Sequence, residues 1–498
     1  MRVNYVPIRI AIGRSLLSGD APNPEAFTDD SRRAIDTQQI FAGGGVDYAA
    51  LFHALIIQRL GRQLNDVEFL LHLKAYIDYG FQLIRQDSQT FKSTDDWVDY
   101  LIELTQLGLS QRAQIAPPVI ESVPAYDGLL CLELGNEVDT SKIFSVEYNR
   151  RTNSHLAITG KSGSGKTQFI KDLLVQLRRN SEYGVNFILF DYLKGDYASD
   201  ERFVSLTRAN VVRLTQQSMP INPFSRINIA GEMSVRIAAQ DFSEMIRSME
   251  RNIGASQGQL LYQAILTAFN EVRTESLPFP DFYRVRQELD YLYFNNNRKS
   301  DSLTEVIRQL TDLQIFPRAN ATELFDSLCN HTVVVDLHEL TGLRDLTVCL
   351  ILDAMYRELI AMSDTEVRDG VRAMRTVIVI DEARSLIKDT KRSYVLHRLI
   401  NNVTGKGASV ILLSQSLDDY NVDTFDFAEL LEFIVALKSG ITTNQFLQNT
   451  FSITAQQARS IGSKVRSLAE GEALIISPGK EAGFAATKLK LRQFWRDN

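Results

Sequence analysis

The chain has 498 residues, 44% of them hydrophobic and 23% charged, which is the balance of a soluble globular protein with two or three domains. A net charge of -7 excludes a module that coats DNA with a basic surface, but not a ring whose DNA contacts are confined to a few pore loops. No apolar run approaches the roughly 18 to 20 residues of a membrane helix, and the opening MRVNYVPIRIAIGRSL is too short and too broken by arginine for a signal peptide, so a cytoplasmic protein without a membrane partner is expected.

The first hundred or so residues have helical periodicity. YAALFHALIIQRL (48–60) and EFLLHLKAYIDYGFQLI (68–84) repeat apolar residues every three or four positions, and FAGGGVD before them reads as a loop. Pro117, Pro118 and Pro124 then gather in IAPPVIESVPAYDG, a stretch that neither a helix nor a central strand tolerates. A helical domain over 1–112 and a linker over 113–128 follow.

From 129 the texture changes to an α/β fold. HLAIT (155–159), VNFILFDY (185–192), HTVVVDL (331–337), TVIVID (376–381) and ASVILLSQ (408–415) are continuous apolar runs, as strands of a parallel sheet covered on both faces should be. Between them, 201–330 reads as a mostly helical insertion, with QLLYQAILTAF (259–269) its clearest helix. The core is thus expected in two parts, 129–200 and 331–498. Cys131, Cys329 and Cys349 are widely spaced, form no CxxC pair, and suggest buried thiols in a reducing compartment.

The chemistry concentrates in LAITGKSGSGKTQFI. Gly160, Gly163, Gly165, Lys166 and Thr167 form GxxxxGKT between a strand and a helix. Such a loop turns backbone N–H groups onto the phosphates of ATP, sends a lysine to the β and γ oxygens, and offers a hydroxyl to Mg2+. The binding residues are Gly160, Ser162, Gly163, Ser164, Gly165, Lys166, Thr167 and Gln168. TVIVIDEAR supplies the second half: Asp381, at a strand end, holds the water shell of Mg2+ with Thr167, and Glu382 orients and deprotonates the attacking water. Gln415 ends the next strand and can report the γ-phosphate. Asp191 and Asp196, in FDYLKGDY, stand at a further strand end facing the same crevice, or form a charged turn with no role.

The order of these motifs resembles the HerA/FtsK family of P-loop ATPases. NSHLAITGKSGSGKTQ looks like that family's loop, ILFDYLKGDY like its second strand, and VILLSQSLDD like its strand ending in Ser-Gln or Thr-Gln. The likeness runs from about 129 to 490. It implies a RecA-like core, a homo-oligomer in the form of a hexameric ring, ATP held between subunits, and double-stranded DNA as the load. The family's arginine before the last of these strands is replaced by Thr404 in NNVTGKGASV, so the donor of a trans-acting finger is sought at Lys406, Arg398 or Arg384.

RIAIGRSLLSG (9–19), GVDYAALFHALIIQRLG (45–61) and HLKAYIDYGFQLI (72–84) resemble successive blocks of DndE, a component of DNA phosphorothioation systems. The resemblance implies DNA contact through basic residues, with Arg9 and Arg14 in the best-matching block, and a nuclease or sulfur-modification proteins as partners. Residues 1–110 hold 10 Lys or Arg against 14 Asp or Glu, which leaves that basic surface weak. The expected function is an ATP-driven duplex-DNA translocase of a modification or antiphage defence system. Its alternatives are a motor or an ATP-gated scaffold acting on a protein.

Overall fold

The computed structural model describes residues 6–104 and 124–498 apart from 19–20, 28–41, 44–45, 48, 61, 63, 92, 94–95, 99, 102–103, 151–153, 228–231, 251, 276–278, 320–324, 390–392, 423–424, 427–430, 432, 440–446, 449–452 and 478–484. The chain divides into two compact units, Met1–Ala116 and Pro117–Asn498. Of the expected linker, Pro117 and Pro118 lie outside the described residues.

The amino-terminal unit is built on α1 (Val6–Leu17), α2 (Ala49–Leu60) and α3 (Asp66–Asp87). α3 starts at a capping box in which Asn65 and Glu68 satisfy each other's backbone N–H. Ile12, Ile56, Leu73, Tyr76 and Ile77 form the core. Gly80 lets α3 touch α1, because a Cβ there would stand 1.8 Å from the carbonyl oxygen of Ala11. His72 is buried in this unit, and burial lowers its pKa, as a packing histidine requires.

The second unit is one large sheet with helices on both faces. Its strands are β1 (Cys131–Glu137), β2 (Ile143–Glu147), β3 (Leu156–Thr159), β4 (Asn186–Asp191), β5 (Asn210–Arg213), β6 (Val333–Asp336), β7 (Thr376–Ile380), β8 (Ala408–Ser414), β9 (Phe433–Leu437), β10 (Glu472–Ser477) and β11 (Ala485–Leu491). They lie in the order β2-β1-β11-β10-β9-β3-β8-β7-β4-β6-β5. From β9 to β5 every neighbouring pair is parallel. β10, β11, β1 and β2 extend the sheet antiparallel, which the expectation of a parallel sheet missed. β11, β1 and β2 are partly exposed and lack the continuous apolar runs that mark the centre, whereas β10 is buried over Ala473, Leu474, Ile475 and Ile476.

Alternation along the central strands divides the core in two. Ile188, Phe190, Ile378, Ile380, Val410 and Leu412 face one side, and Phe187, Leu189, Val377, Val379, Ile411 and Leu413 the other. α4 (Lys166–Asn180) covers the second side with Phe169, Ile170, Leu173, Leu174 and Leu177. The short α5 (Glu201–Thr207), preceding β5, adds Phe203 to that side, and the first side carries α10 (Arg344–Ala361) and the helices after β5: α6 (Glu232–Met249), α7 (Ala255–Glu275), α8 (Phe282–Asn295) and α9 (Ser302–Asp312). β5 falls inside 201–330 and belongs to the sheet, so the helical excursion begins after Arg213. Phe224, Phe242 and Phe282 cluster at its base with ring centroids 4.7 to 5.9 Å apart.

His155 ties β3 to β8. Its Nδ1 accepts the Val410 N–H at 2.9 Å, and Nε2 lies 3.0 Å from the Ile400 carbonyl and 2.9 Å from the Thr404 hydroxyl. An accepting Nδ1 makes the ring neutral, with its proton on Nε2. Burial pushes its pKa down to about 4.

Candidate active site

The glycine-rich loop leaves the carboxyl end of β3 and enters α4. Gly160 N–H donates to the Ser414 carbonyl at 3.1 Å and Lys161 N–H to the Lys438 carbonyl at 2.9 Å, so the loop is fastened to the ends of both strands flanking β3. Gly160 cannot carry a side chain: a Cβ would meet Ser164 Oγ at 2.4 Å and Leu437 Cβ at 2.8 Å. Gly165, at φ 100°, turns the chain into the first helical residue. Ser162 and Gly163 are exposed at the loop's tip. Ser164 is buried, and its hydroxyl has no hydrogen-bond partner. Thr167 and Gln168, half-buried, begin α4, whose first N–H groups and dipole favour an anion.

Lys166 is buried and folds back so that Nζ donates to the Gly160 carbonyl. Burial lowers its pKa, while Glu382 and Asp381 act in the opposite sense. Lys194, exposed in the turn after β4, adds a like charge close enough to be felt by Lys166. The sequence singled out that turn for its acids, not for this lysine.

Asp381 and Glu382 follow β7. The Glu382 N–H donates to Asp381 Oδ1 at 3.0 Å. Burial and the facing carboxylates of Glu382 and Asp191 push the Asp381 pKa up to about 7. Glu382 has φ 53°, a left-handed conformation that a residue with a Cβ adopts at a cost of roughly 1–2 kcal/mol. Ala383 N–H donates to the Leu413 carbonyl at 2.8 Å, fixing the turn against β8. Gln415 Nε2 lies 3.1 Å from both carboxylate oxygens of Glu382. The two catalytic candidates from different strands are thus in direct contact.

Asp191 also has a structural part. Its carboxylate is buried and accepts the N–H groups of Tyr197 and Ala198 at 2.9 and 3.2 Å, which closes the LKGDY turn. Asp196 is exposed in that turn.

Residues 132–359 match the family model described as the central domain of the helicase HerA, and residues 1–92 match the DNA sulphur modification protein DndE. The chain is thus similar to HerA-type P-loop ATPases over 132–359 and to DndE over 1–92. The DNA import protein CedB of Sulfolobus acidocaldarius is 22% identical over 316 residues, covering 62% of this chain and 48% of CedB. Protein TraC of Escherichia coli K12 is 24% identical over 339 residues, 64% of this chain and 36% of TraC. The chain therefore spans about half of the first relative and about a third of the second. Among solved structures, VirB4 of Thermoanaerobacter pseudethanolicus has the same fold, with a TM-score of 0.55 at 17% identity over 72% of this chain and 96% of that one.

The remaining candidates are dispersed. Lys406 precedes β8 at its amino end, a strand length of roughly 20 Å from the site, and its Nζ reaches Asp364 and the Met362 carbonyl, each at 2.8 Å. Arg398 pairs with Asp353 at 2.7 Å and lies over the Tyr356 ring. Arg384 is exposed two residues after Glu382, with Nε 3.3 Å from Asp419. None of the three touches its own chain's loop among the described residues. In the amino-terminal unit, Arg14 is held by Asp87 at 2.8 Å, and Asp87 also receives the Tyr100 hydroxyl at 2.7 Å. That pairing raises the Arg14 pKa and balances its charge internally. Arg9 lies on the same helix, half-buried.

The sequence missed residues 492–498, which dock on α4. Arg492 Nε is 3.1 Å from the buried Asp172, Asn498 Nδ2 donates to the same carboxylate at 2.6 Å, and Trp495 N–H donates to Gln168 Oε1 at 3.3 Å. These partners are more than 300 residues apart, so no local pattern marks them.

Proposed function

We propose that this protein is an oligomeric ATP hydrolase that moves double-stranded DNA, and that it serves a phosphorothioation-linked modification or antiphage defence system in the cytoplasm. The observation that carries the reading is the contact between Glu382 and Gln415 beside Lys166, because it presents a positioned carboxylate next to a phosphate-binding loop. The DndE-like segment supplies the pathway, and the CedB relative, named for DNA import, supports a nucleic-acid load.

In this reading the loop N–H groups and the first turn of α4 hold the ATP phosphates, and Lys166 exchanges its contact with the Gly160 carbonyl for the β and γ oxygens. Glu382, oriented by Gln415, takes a proton from water as the water oxygen bonds to the γ-phosphorus and the bond to the bridging oxygen breaks. Asp381 fits a cation: its pKa is raised by burial and then by the charges of Glu382 and Asp191, and a divalent ion would relieve that potential. Among the described residues no three acidic, histidine or cysteine side chains converge as ligands, which suits Mg2+, an ion that keeps several waters. Thr167 and Asp381 would hold Mg2+, which supplies charge neutralisation at the β and γ phosphates.

The trans finger remains assigned to the trio Lys406, Arg398 and Arg384, and the exposed Arg384 is the one with least to give up on reaching a neighbour. A protein load is the second reading. It is favoured by the net charge of -7 and by the internal pairing of Arg14, both of which weaken a DNA-binding surface. ATP hydrolysis measured with duplex DNA, single-stranded DNA and no nucleic acid separates the two. Duplex stimulation supports DNA translocation, and its absence in an active, oligomeric enzyme supports the protein load.

A further inference from the structure

We propose that Gln493 and Trp495 form the subsite for the purine nucleoside of the bound nucleotide, an assignment that rests on the ATP reading above. The phosphates have one place, the loop and the start of α4. The flank formed by β7 and β8 carries Asp381, Glu382 and Gln415, which suits the γ-phosphate end. The nucleoside must leave by another flank, and residues 492–498 stand beside the Gly165–Gln168 end of the loop.

This segment is built to hold still. Arg492 joins Asp172 and Glu133 at 3.1 and 3.2 Å, Arg179 Nη1 donates to Asn498 Oδ1 at 3.0 Å, and Asn498 donates to Asp172. Phe494 is buried with its ring 6.0 Å from that of Phe203. Both neighbours of Phe494 then behave unusually. The Gln493 amide lies 3.4 Å from where a Cβ on Gly165 would stand, which puts it at the mouth of the loop. It is 7% exposed, yet its Nε2 has no hydrogen-bond partner. A buried donor left unsatisfied is rare and calls for an acceptor, and a ribose oxygen in that place would be one. Trp495 has its backbone N–H fixed to Gln168 and is 64% exposed. An aromatic face held in water one contact from the loop matches the demand of a purine, which binds mainly by stacking.

The chain has two tryptophans, Trp97 and Trp495, so the full-length W97F protein reports on Trp495 alone. ATP should quench its fluorescence, and inorganic tripolyphosphate should not. By calorimetry Trp495→Ala should bind ATP roughly 10- to 100-fold more weakly, the range expected of one lost stacking contact, and bind tripolyphosphate as tightly as the wild type. Trp495→Phe should recover most of the loss, which separates stacking from a folding defect. Gln493→Ala should weaken ATP with the same tripolyphosphate control. Equal ATP affinity in wild type and Trp495→Ala, with no quench, overturns the subsite while leaving ATP binding intact. Tighter ATP binding by Trp495→Ala also overturns it, because the segment would then be a block. Failure of the wild type to bind ATP at all removes the parent reading as well.

Discussion

Protonating His155 should unfasten the strand that carries the phosphate loop. The ring is neutral and buried, with Nδ1 accepting from Val410 and Nε2 donating toward Ile400. A second ring proton would turn Nδ1 into a donor facing another donor, in a place closed to water. The pKa is about 4 in the folded chain against 6.5 for free histidine. Because the folded value is the lower one, the unfolded chain takes up the proton first as pH falls. The stabilisation is therefore complete above pH 6.5 and is lost progressively down to pH 4. With 1.36 kcal/mol per unit, the loss is about 2 kcal/mol by pH 5 and approaches about 3 kcal/mol near pH 4. The assay is urea unfolding of wild type and His155→Gln at pH 7.5 and 5.0, followed by circular dichroism. Other groups titrate in both proteins, so the difference between their pH dependences isolates His155. The wild type should lose about 2 kcal/mol more than the variant over that interval. Identical pH dependences would refute the buried neutral ring.

Glu382→Gln should bind ATP normally and hydrolyse it roughly 10²- to 10⁴-fold more slowly, as loss of a general base does; an unchanged rate in single-turnover assays would remove Glu382 from the chemistry. Gln415→Ala should lower kcat roughly tenfold with little change in KM, because it frees the Glu382 carboxylate without touching the phosphate loop. Glu358 is fully buried, forms an ion pair with Arg226 at 3.2 Å, and accepts from Ser327 and the N–H groups of Leu328 and Cys329. Glu358→Ala strands the Arg226 charge and should cost about 3–5 kcal/mol in urea unfolding; a loss under 1 kcal/mol would show that the pair opens to water.

What could be read in advance follows from how each feature is encoded. The phosphate loop and Asp381–Glu382 are legible because their chemistry demands fixed residue types at short spacing. β3, β4, β6, β7 and β8 are legible because burial on both faces makes each a continuous apolar run. β5, reading NVVR at the sheet's edge, is buried only at Val212, and β11 alternates buried with exposed residues near its end, so neither makes a continuous apolar run. The Gln415–Glu382 contact spans 33 residues and the Arg492–Asp172 pair 320. Contacts of that kind are set by sheet order, which no local window contains. No pattern links Arg14 to Asp87, its partner 73 residues later, so α1 alone shows the charge and not its pairing.

The central claim is that ATP hydrolysis at the Lys166 loop is coupled to duplex DNA. It is tested most directly by the steady-state ATPase rate of the purified oligomer with and without long duplex DNA, in wild type and Lys166→Ala. A several-fold rise on adding duplex, absent in Lys166→Ala, is the predicted result. Hydrolysis by a stable monomer that duplex DNA leaves unchanged would contradict it.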